Sequence, residues 1–217
     1  MILSAELIQH ASSNVNPCNE VELQLRNLNI LYIENLNVTR NYYNCIDLCN
    51  NQISRLGNFS VLSKLYTLLI CNNRLNQIDT DLHIQLPSVQ SLILTNNSFT
   101  QLSQLQSLQK CKSLRYLSLL NNPVARIPNY RLSMIALLPQ LNVLDYNKIK
   151  PDERIQSKNI QLNLTGTPNK RTRSAGEIDD DNQRRIKKQK LIEQLRTTTS
   201  LSELQRLEVE LQSMHDV

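Results

Sequence analysis

The chain contains no tryptophan, and aromatic residues make up only 4% of its 217 residues. Hydrophobic residues still account for 40% of the chain, so the core must be built mainly from leucine and isoleucine. Glycine is also scarce, at three residues, which argues against a glycine-rich phosphate-binding loop. No stretch approaches the roughly 20 consecutive apolar residues of a membrane-spanning helix. We therefore expect a core rich in leucine and no membrane association.

Cysteine and histidine offer neither a disulfide framework nor a metal site. The five cysteines are odd in number and form no C-x-x-C pair; they are Cys18, Cys45, Cys49, Cys71 and Cys111. We interpret them as reduced side chains of an intracellular protein, because disulfide frameworks use paired cysteines in secreted chains. His10, His83 and His215 lack partners at metal-ligand spacing, and no nucleophile–base set is evident. We predict no metal, no cofactor and no catalytic activity.

The first residues lack the charged and apolar regions of a signal peptide, so we expect the protein in the cytosol or nucleus.

Four segments of the chain repeat one pattern, L-x-x-L-x-L-x-x-N-x-L. They place asparagine at Asn51, Asn73, Asn97 and Asn122, which are successively 22, 24 and 25 residues apart. This spacing is the period of a leucine-rich repeat. Within each segment the leucines alternate as in a strand with one buried face. The asparagine side chain can bond backbone groups that the following turn leaves unpaired.

The repeats predict an α/β fold: a right-handed leucine-rich-repeat solenoid with a parallel sheet on its concave face and the four asparagines in a ladder beneath it. Atypical coils flank the repeats, as expected for caps. Residues 22–30 keep the strand pattern but have Leu28 where the asparagine belongs, and residues 141–146 indicate a last strand. Ser4 can cap the N-terminus of a short helix at the beginning of the solenoid. We assign the capped repeat domain to residues 1–155.

The side chains between the core leucines point to the concave face. Its positions, strand by strand, are Glu22, Gln24, Arg26; Cys45, Asp47, Cys49; Thr67, Leu69, Cys71; Ser91, Ile93, Thr95; Tyr116, Ser118, Leu120; and Val143, Asp145, Asn147. Leu69, Ile93 and Leu120 make the middle of the face apolar, and Arg26, Asp47 and Asp145 lie at its edges. Such a groove suits a helix with an apolar stripe. It lacks the row of lysines or arginines that RNA phosphates require.

We predict that ten of these residues bind a protein partner: Gln24, Arg26, Asp47, Cys49, Leu69, Cys71, Ile93, Thr95, Tyr116 and Leu120. The alternative is that the apolar positions belong to a two-sided core that the protein's own tail covers.

The repeat pattern ends near residue 156. Residues 156–178 are polar and contain proline and glycine, which predicts a flexible linker. Residues 179–217 are predicted to form a basic and amphipathic helical tail. Its basic cluster resembles a nuclear localisation signal, with a solvated helix face as the alternative; the cluster comprises Arg184, Arg185, Lys187, Lys188 and Lys190. Ser200 and Glu203 form a capping box ahead of a short amphipathic leucine helix.

Several motifs together resemble a known family. Asn122-Pro123-Val124, Tyr130-Arg131 and residues 138–145 resemble the cap of intracellular leucine-rich-repeat proteins, with a short helix from about Tyr130 to Leu138. Glu34-Asn35-Leu36, residues 65–74, residues 92–97 and the leucines of residues 200–207 narrow the resemblance. In their order and spacing they are similar to the A-prime protein family of the U2 spliceosomal particle.

The resemblance implies a nuclear, non-catalytic scaffold of the U2 small nuclear ribonucleoprotein in pre-mRNA splicing. Members of that family hold a helix of an RNA-recognition-motif partner, of the B-double-prime type, in the concave groove. The pair binds a U2 RNA stem-loop, and the C-terminal helix would contact other spliceosomal proteins. Residues 1–151 carry 12 basic and 8 acidic side chains and no RNA-recognition aromatic motif, so we expect weak, salt-sensitive RNA contact with sequence read by the partner. The alternative is another capped repeat adaptor: a phosphatase regulator, an mRNA-export adaptor or a tubulin-chaperone factor.

Overall fold

A computed structural model describes residues 2–158 and 160 of the chain. In this part of the chain ten strands follow one another: β1 (Ser13–Val15), β2 (Val21–Gln24), β3 (Cys45–Asp47), β4 (Arg55–Leu56), β5 (Thr67–Leu69), β6 (Gln77–Ile78), β7 (Ser91–Ile93), β8 (Tyr116–Ser118), β9 (Val143–Leu144) and β10 (Asn147–Lys148). Four helices accompany them: α1 (Ala5–His10), α2 (Leu82–Gln85), α3 (Tyr130–Leu137) and α4 (Pro151–Ser157). Three 3-10 helices lie in the connections, at Leu36–Thr39, Leu102–Lys110 and Pro123–Arg126.

Eight strands form one sheet in the order β1-β2-β3-β5-β7-β8-β9-β10, and its six inner strands run parallel. The register places one apolar residue of each inner strand in a single row: Leu23, Ile46, Leu68, Leu92, Leu117 and Leu144. Each of these side chains is at most 1% exposed. Fully burying such a side chain stabilises the fold by roughly 1.5–3 kcal/mol. The predicted parallel sheet with one leucine-lined face is confirmed. β4 and β6 form a second, two-stranded parallel sheet.

The four repeat asparagines lie under the sheet, all at most 8% exposed. Asn97 shows the arrangement. Its Nδ2 donates to the carbonyls of Ile70 at 3.0 Å and Leu94 at 2.9 Å, and its Oδ1 accepts from the backbone N–H of Leu75 at 3.0 Å. Asn51, Asn73 and Asn122 make equivalent bonds between neighbouring coils. Each side chain thus satisfies backbone groups of two coils that the turn leaves without backbone partners.

A second row consists of the asparagines that come one residue before each buried asparagine in the sequence, and these are exposed. Asn50, Asn72, Asn96 and Asn121 have φ of 58°, 54°, 55° and 58°, in the left-handed region. The Nδ2 of Asn72 donates to Asn50 Oδ1 at 2.6 Å, and that of Asn96 donates to Asn72 Oδ1 at 2.8 Å. Asparagine tolerates this backbone conformation better than most residues do. In the Asn-Asn pair of each repeat, the first asparagine therefore adopts the turn conformation, and the second is buried and bonds to the backbone.

The N-terminal cap contains the predicted helix and an additional strand. Ser4 accepts a hydrogen bond from the backbone N–H of Leu7 at 3.2 Å and caps α1, as predicted. The strand β1 was not predicted: it pairs antiparallel with β2 and forms the first edge of the sheet. All three of its residues are exposed, so it lacks the alternation of apolar residues by which strands are recognised.

The C-terminal end differs from the sequence prediction at Asn147. We expected this residue to continue the last strand on the concave face. Instead, Asp145 and Tyr146 adopt φ of 52° and 61°, and the chain turns back so that Asn147 lies in β10, antiparallel to β9. The helix α3 agrees with the predicted cap helix to within a residue, and α4 crosses the domain boundary that we placed at 155.

None of the helices in the described ranges has the length and hydropathy that crossing a membrane requires. The predicted tail, including the basic cluster and the helix after Ser200, lies outside the described residues.

Candidate functional site

The concave face is organised in three rows that cross the strands. The first row is Glu22, Cys45, Thr67, Ser91, Tyr116 and Val143, and the second is Gln24, Asp47, Leu69, Ile93 and Ser118. Backbone hydrogen bonds extend the parallel pairing beyond the strands and align a third row of Arg26, Cys49, Cys71, Thr95 and Leu120. The ten residues predicted to bind a partner therefore lie on one surface.

An apolar surface occupies the middle and the C-terminal half of this face. Leu69 and Ile93 are neighbours in the second row and are half-buried. Tyr116 and Leu120 flank them from the first and third rows, with 46% and 38% of their surfaces exposed. None of the four belongs to the hydrophobic core of the described residues. The face thus presents an apolar surface to solvent in this part of the chain. A cover supplied by the tail, our alternative, falls outside the described residues.

Arg26 and Asp47, which we placed at the edge of the groove, form an ion pair. Arg26 Nε lies 3.2 Å from Asp47 Oδ2, and the other oxygen of Asp47 accepts from the backbone N–H of Cys49 at 2.8 Å. Asp47 is only 4% exposed, whereas about half of the Arg26 side chain, 52%, remains accessible. A partner can therefore reach Arg26 and has little access to Asp47. Cys49, at 5% exposure, is similarly covered.

Two acidic residues at the N-terminal end of the face were missed as site residues. Asn16 Nδ2 donates to both Glu20 Oε2 at 3.1 Å and Glu22 Oε2 at 3.2 Å, so the two carboxylates lie close together. Glu20 also accepts from Thr67 Oγ1 at 2.9 Å. The carboxylates lie over Cys45, which is fully buried; burial, followed by the charges of Glu22 and Glu20, raises the pKa of its thiol. Glu20 precedes β2, outside the alternating pattern, so the sequence contained no signal for its position.

Several polar side chains of the face are hydrogen-bonded within the protein. Thr95 Oγ1 and Ser118 Oγ are 2.9 Å apart, and Ser118 is 1% exposed. Gln24 Oε1 accepts from Ser12 Oγ at 3.0 Å. At the far edge, Asp145 Oδ1 accepts from the backbone N–H of Leu119 at 2.7 Å. Because these polar groups are already paired within the protein, a partner would gain mainly by burying the apolar surface.

Cys49 and Cys71 are neighbours in the third row, and their thiols influence each other. The backbone N–H of Cys71 donates to Cys49 Sγ at 3.3 Å. A hydrogen bond from the Cys49 thiol lowers the pKa of Cys71 to about 7, against the opposing effect of burial. The same hydrogen bond, together with burial, raises the pKa of Cys49. In the described part of the chain, no group of three or more histidine, cysteine, aspartate or glutamate side chains is arranged to hold a metal ion.

Comparison with known proteins agrees with this architecture. A family model described as "Leucine-rich repeat" matches residues 1–168, which confirms the predicted fold class. The U2 small nuclear ribonucleoprotein A′ of Mycosarcoma maydis is 44% identical over 168 residues, covering 77% of this chain and 68% of that protein. The Homo sapiens protein of the same name is 43% identical over 158 residues, covering 73% of this chain and 62% of that protein.

A solved structure resembles the chain in three dimensions as well. It is a chain of the Drosophila melanogaster SNF/U2A′ complex, with a TM-score of 0.73 and 36% identity, covering 83% of this chain and 99% of the other. The fold, the repeat pattern and these identities lead to one conclusion: the chain belongs to the U2 small nuclear ribonucleoprotein A′ family of leucine-rich-repeat proteins.

Proposed function

We propose that this protein is a non-catalytic scaffold subunit of the U2 small nuclear ribonucleoprotein in pre-mRNA splicing. Its concave face binds a helix of an RNA-recognition-motif partner of the B-double-prime type and helps that partner bind a U2 RNA stem-loop. Two findings support the proposal: the chain belongs to the A′ family, and a similar chain, 36% identical, was solved in complex with the protein SNF.

The observation that carries the proposal is the apolar surface of Leu69, Ile93, Tyr116 and Leu120. Monomeric proteins seldom expose neighbouring large apolar side chains without a function for them. The surface crosses three neighbouring strands, β5, β7 and β8, with the Arg26–Asp47 ion pair on one side and the hydrogen-bonded Asp145 on the other. An amphipathic helix laid across the strands would bury these side chains with its own apolar stripe. Between its two ends, a helix satisfies its backbone polar groups internally, so burying that part leaves no backbone donors unpaired.

The charges of the face favour a protein helix over RNA. Arg26 is the single basic residue among the concave-face positions, and it is paired with Asp47. Glu20 and Glu22 add negative charge at the N-terminal end, which would repel phosphates. RNA binding depends on several lysine or arginine contacts to phosphates. We therefore assign sequence-specific RNA recognition to the partner, with weak, salt-sensitive backbone contact from this chain.

The remaining parts of the proposal concern the tail. Nuclear localisation through Arg184, Arg185, Lys187, Lys188 and Lys190 agrees with the nuclear role of the family, and the leucine helix after Ser200 would contact other spliceosomal proteins. Deleting residues 184–190 from a fluorescent fusion and imaging the cells tests the signal. The fusion should shift toward the cytoplasm, and the test is run in cells depleted of the partner, since import together with the partner would mask the effect.

Affinity purification of the tagged full-length chain from nuclear extract tests the whole proposal. U2 RNA and an RNA-recognition-motif protein should copurify in amounts comparable to the chain, and RNase treatment should remove the RNA but keep the protein partner. Purification of a phosphatase catalytic subunit, an mRNA-export factor or tubulin without U2 RNA would contradict the proposal and favour an alternative adaptor.

A further inference from the structure

The segments that lead into five of the parallel strands lie side by side along the edge of the sheet where these strands begin. They precede β3, β5, β7, β8 and β9 and are residues 37–44, 60–66, 86–90, 109–115 and 138–142. Backbone hydrogen bonds of 2.8 Å join each segment to the next, in the row Asn44, Tyr66, Gln90, Arg115 and Asn142. Neighbouring strands lie about 4.8 Å apart, so the four steps from β3 to β9 give an edge of about 19 Å, long enough for several successive phosphates of one nucleic-acid strand.

This edge carries positive charge only. The five segments contain no aspartate or glutamate, and their basic residues are Arg40, Lys64, Lys110, Lys112 and Arg115. Arg154 of α4 joins them, because its guanidinium donates to the carbonyls of Pro139, at 2.8 Å, and Leu141. Within the described ranges, none of the six forms an ion pair with a carboxylate. The turn before β2 differs, since it contains Glu20, so the charged edge begins at the β3 segment. We call these six residues the basic edge.

Hydrogen bonds to neutral groups hold the basic edge in place without cancelling its charge. Arg115 Nη1 donates to the carbonyls of Lys112 at 2.7 Å and Leu114 at 2.9 Å. Asn41 Oδ1 accepts from the backbone N–H of Lys64 at 2.9 Å, which joins the β3 and β5 segments. The backbone that carries these cations is therefore ordered before a ligand arrives, and less conformational entropy is lost on binding.

Two exposed tyrosines lie among the cations. Tyr42 follows Arg40 by two residues and is 62% exposed, and Tyr66 follows Lys64 by two residues and is 40% exposed. Tyr43 packs edge-on against Tyr42, with the ring centroids 5.4 Å apart. Aromatic rings beside lysine and arginine are the combination with which proteins bind single-stranded nucleic acid, since the rings stack on bases and the cations contact phosphates. An acidic protein segment would use the charges but has no bases to stack on the tyrosines.

We propose that the basic edge, with Tyr42 and Tyr66, is a binding surface for single-stranded RNA. The cations contact phosphates and the tyrosines stack on bases, so the surface binds with little sequence preference. It lies beside the concave face and needs no RNA-recognition-motif partner. The inference rests on the proposed function only in placing the chain next to RNA, and it names the surface that makes the weak, salt-sensitive contact.

Fluorescence anisotropy with the full-length chain and a labelled oligouridine tests the proposal. Lys64→Gln/Lys112→Gln should weaken binding about tenfold at physiological salt and reduce the slope of log K against log salt by about 1.4, since each phosphate contact to a single strand contributes about 0.7. Arg74→Gln/Arg126→Gln is the matched control, because it removes the same charge from exposed positions outside the five segments, and it should bind nearly as the wild type does. Equal losses in the two variants would show that only net charge matters. Undiminished binding in both would place the RNA elsewhere on the chain, and either result would overturn the proposal.

A tyrosine variant separates RNA from an acidic protein segment as the ligand. Tyr42→Ala should weaken oligouridine binding about fivefold or more through lost stacking, whereas Tyr32→Ala, at a 57% exposed position outside the segments, should leave it unchanged. Polyglutamate should compete poorly with the RNA. If polyglutamate displaces the RNA and Tyr42→Ala binds normally, the edge is a site for an acidic protein and the proposal is wrong.

Affinity for the RNA-recognition-motif partner, measured in parallel, separates this inference from the proposed function. Lys64→Gln/Lys112→Gln should bind the partner as tightly as the wild type does, because both lysines lie outside the concave-face rows. A variant that loses partner and RNA together would contradict a separate RNA surface. Failure of the wild type to bind the partner would contradict the proposed function, while the oligouridine titrations would still decide this inference.

Discussion

Arg131 and Glu153 join the last two helices of the solenoid, with Arg131 Nε 2.6 Å from Glu153 Oε1. Arg131 also donates to the carbonyl of Leu144 at 3.1 Å, and Glu153 accepts from the backbone N–H of Lys150 at 2.8 Å. The pair therefore connects α3, the last strand β9 and the N-terminus of α4. A solenoid must cover the apolar interior of its final coil, and these bonds hold the covering elements in place.

Glu153→Gln should destabilise the protein by about 1.5–3 kcal/mol at pH 7, because it removes a charged hydrogen bond. The neighbouring Arg131 and the Lys150 N–H lower the pKa of Glu153 to about 2, whereas glutamate in an unfolded chain has a pKa of about 4.3. A lowered pKa in the folded state stabilises the fold above the unfolded pKa, and this stabilisation is lost as the pH falls toward the folded pKa. The difference between variant and wild type should therefore shrink from about pH 4.5 down to about pH 2.

Urea unfolding at several pH values measures this difference, with Asp152→Asn as the control. Asp152 is exposed, one residue away in the same helix turn. An equal loss of stability in both variants would mean that helix-end charge, and not the pair with Arg131, accounts for the effect.

Asn97→Ala should cost on the order of 1–3 kcal/mol, because it leaves the buried backbone N–H of Leu75 and the carbonyl of Ile70 without their side-chain partner. The carbonyl of Leu94 also loses Asn97 but keeps a hydrogen bond from Asn122 Nδ2 at 2.9 Å. Thermal or urea unfolding measures the loss, and Ser98→Ala, at the exposed next position, is the control. A change near zero for Asn97→Ala would show that water replaces the side chain without cost.

Asn72 allows a separate test of the exposed asparagine row. Its φ of 54° costs most residues about 1–2 kcal/mol, and glycine little. Asn72→Ala should therefore destabilise the protein more than Asn72→Gly, although both lose the hydrogen bonds to Asn50 and Asn96. Equal unfolding free energies for the two variants would indicate that the side-chain bonds, and not the backbone conformation, determine the choice of asparagine.

These two rows show what the sequence could and could not predict. The leucine alternation and the spacing of Asn97 and its equivalents were predictable, because every coil must carry the same pattern in order to stack on the next. The backbone conformation of Asn72 is a property of a single turn. The L-x-x-L-x-L-x-x-N-x-L pattern has an x at this position and therefore does not specify which residue type occupies it. Each end of the solenoid occurs only once, so its sequence has no other copy in the chain with which it could be compared. The β1 hairpin and the reversal at Asp145 therefore had no periodic signal.

For the concave face, the sequence predicted which residues belong to it but not how exposed each of them is. Alternation identifies which side chains point to it, because that depends only on strand geometry. Whether a side chain remains accessible depends on neighbours from other coils. Asp47 is covered because Arg26 and the Cys49 backbone bind it, and Glu20 reaches the face from a turn outside the pattern. Contacts of this kind arise from tertiary packing and cannot be deduced from one strand at a time.

Ile93→Asp should abolish binding of the RNA-recognition-motif partner while leaving the fold intact. Ile93 is half-buried at the centre of the apolar surface and lies outside the hydrophobic core, so a carboxylate there remains solvated in the free protein but would be buried against the partner helix. A central interface residue of this kind contributes at least about 2 kcal/mol, which corresponds to an affinity loss of roughly thirtyfold or more. Ile84→Asp is the matched control, since Ile84 is 57% exposed on α2, outside the sheet. Titration calorimetry with the partner measures binding, and circular dichroism with thermal unfolding measures folding. If a folded Ile93→Asp protein binds as tightly as Ile84→Asp, the partner helix does not occupy the concave face.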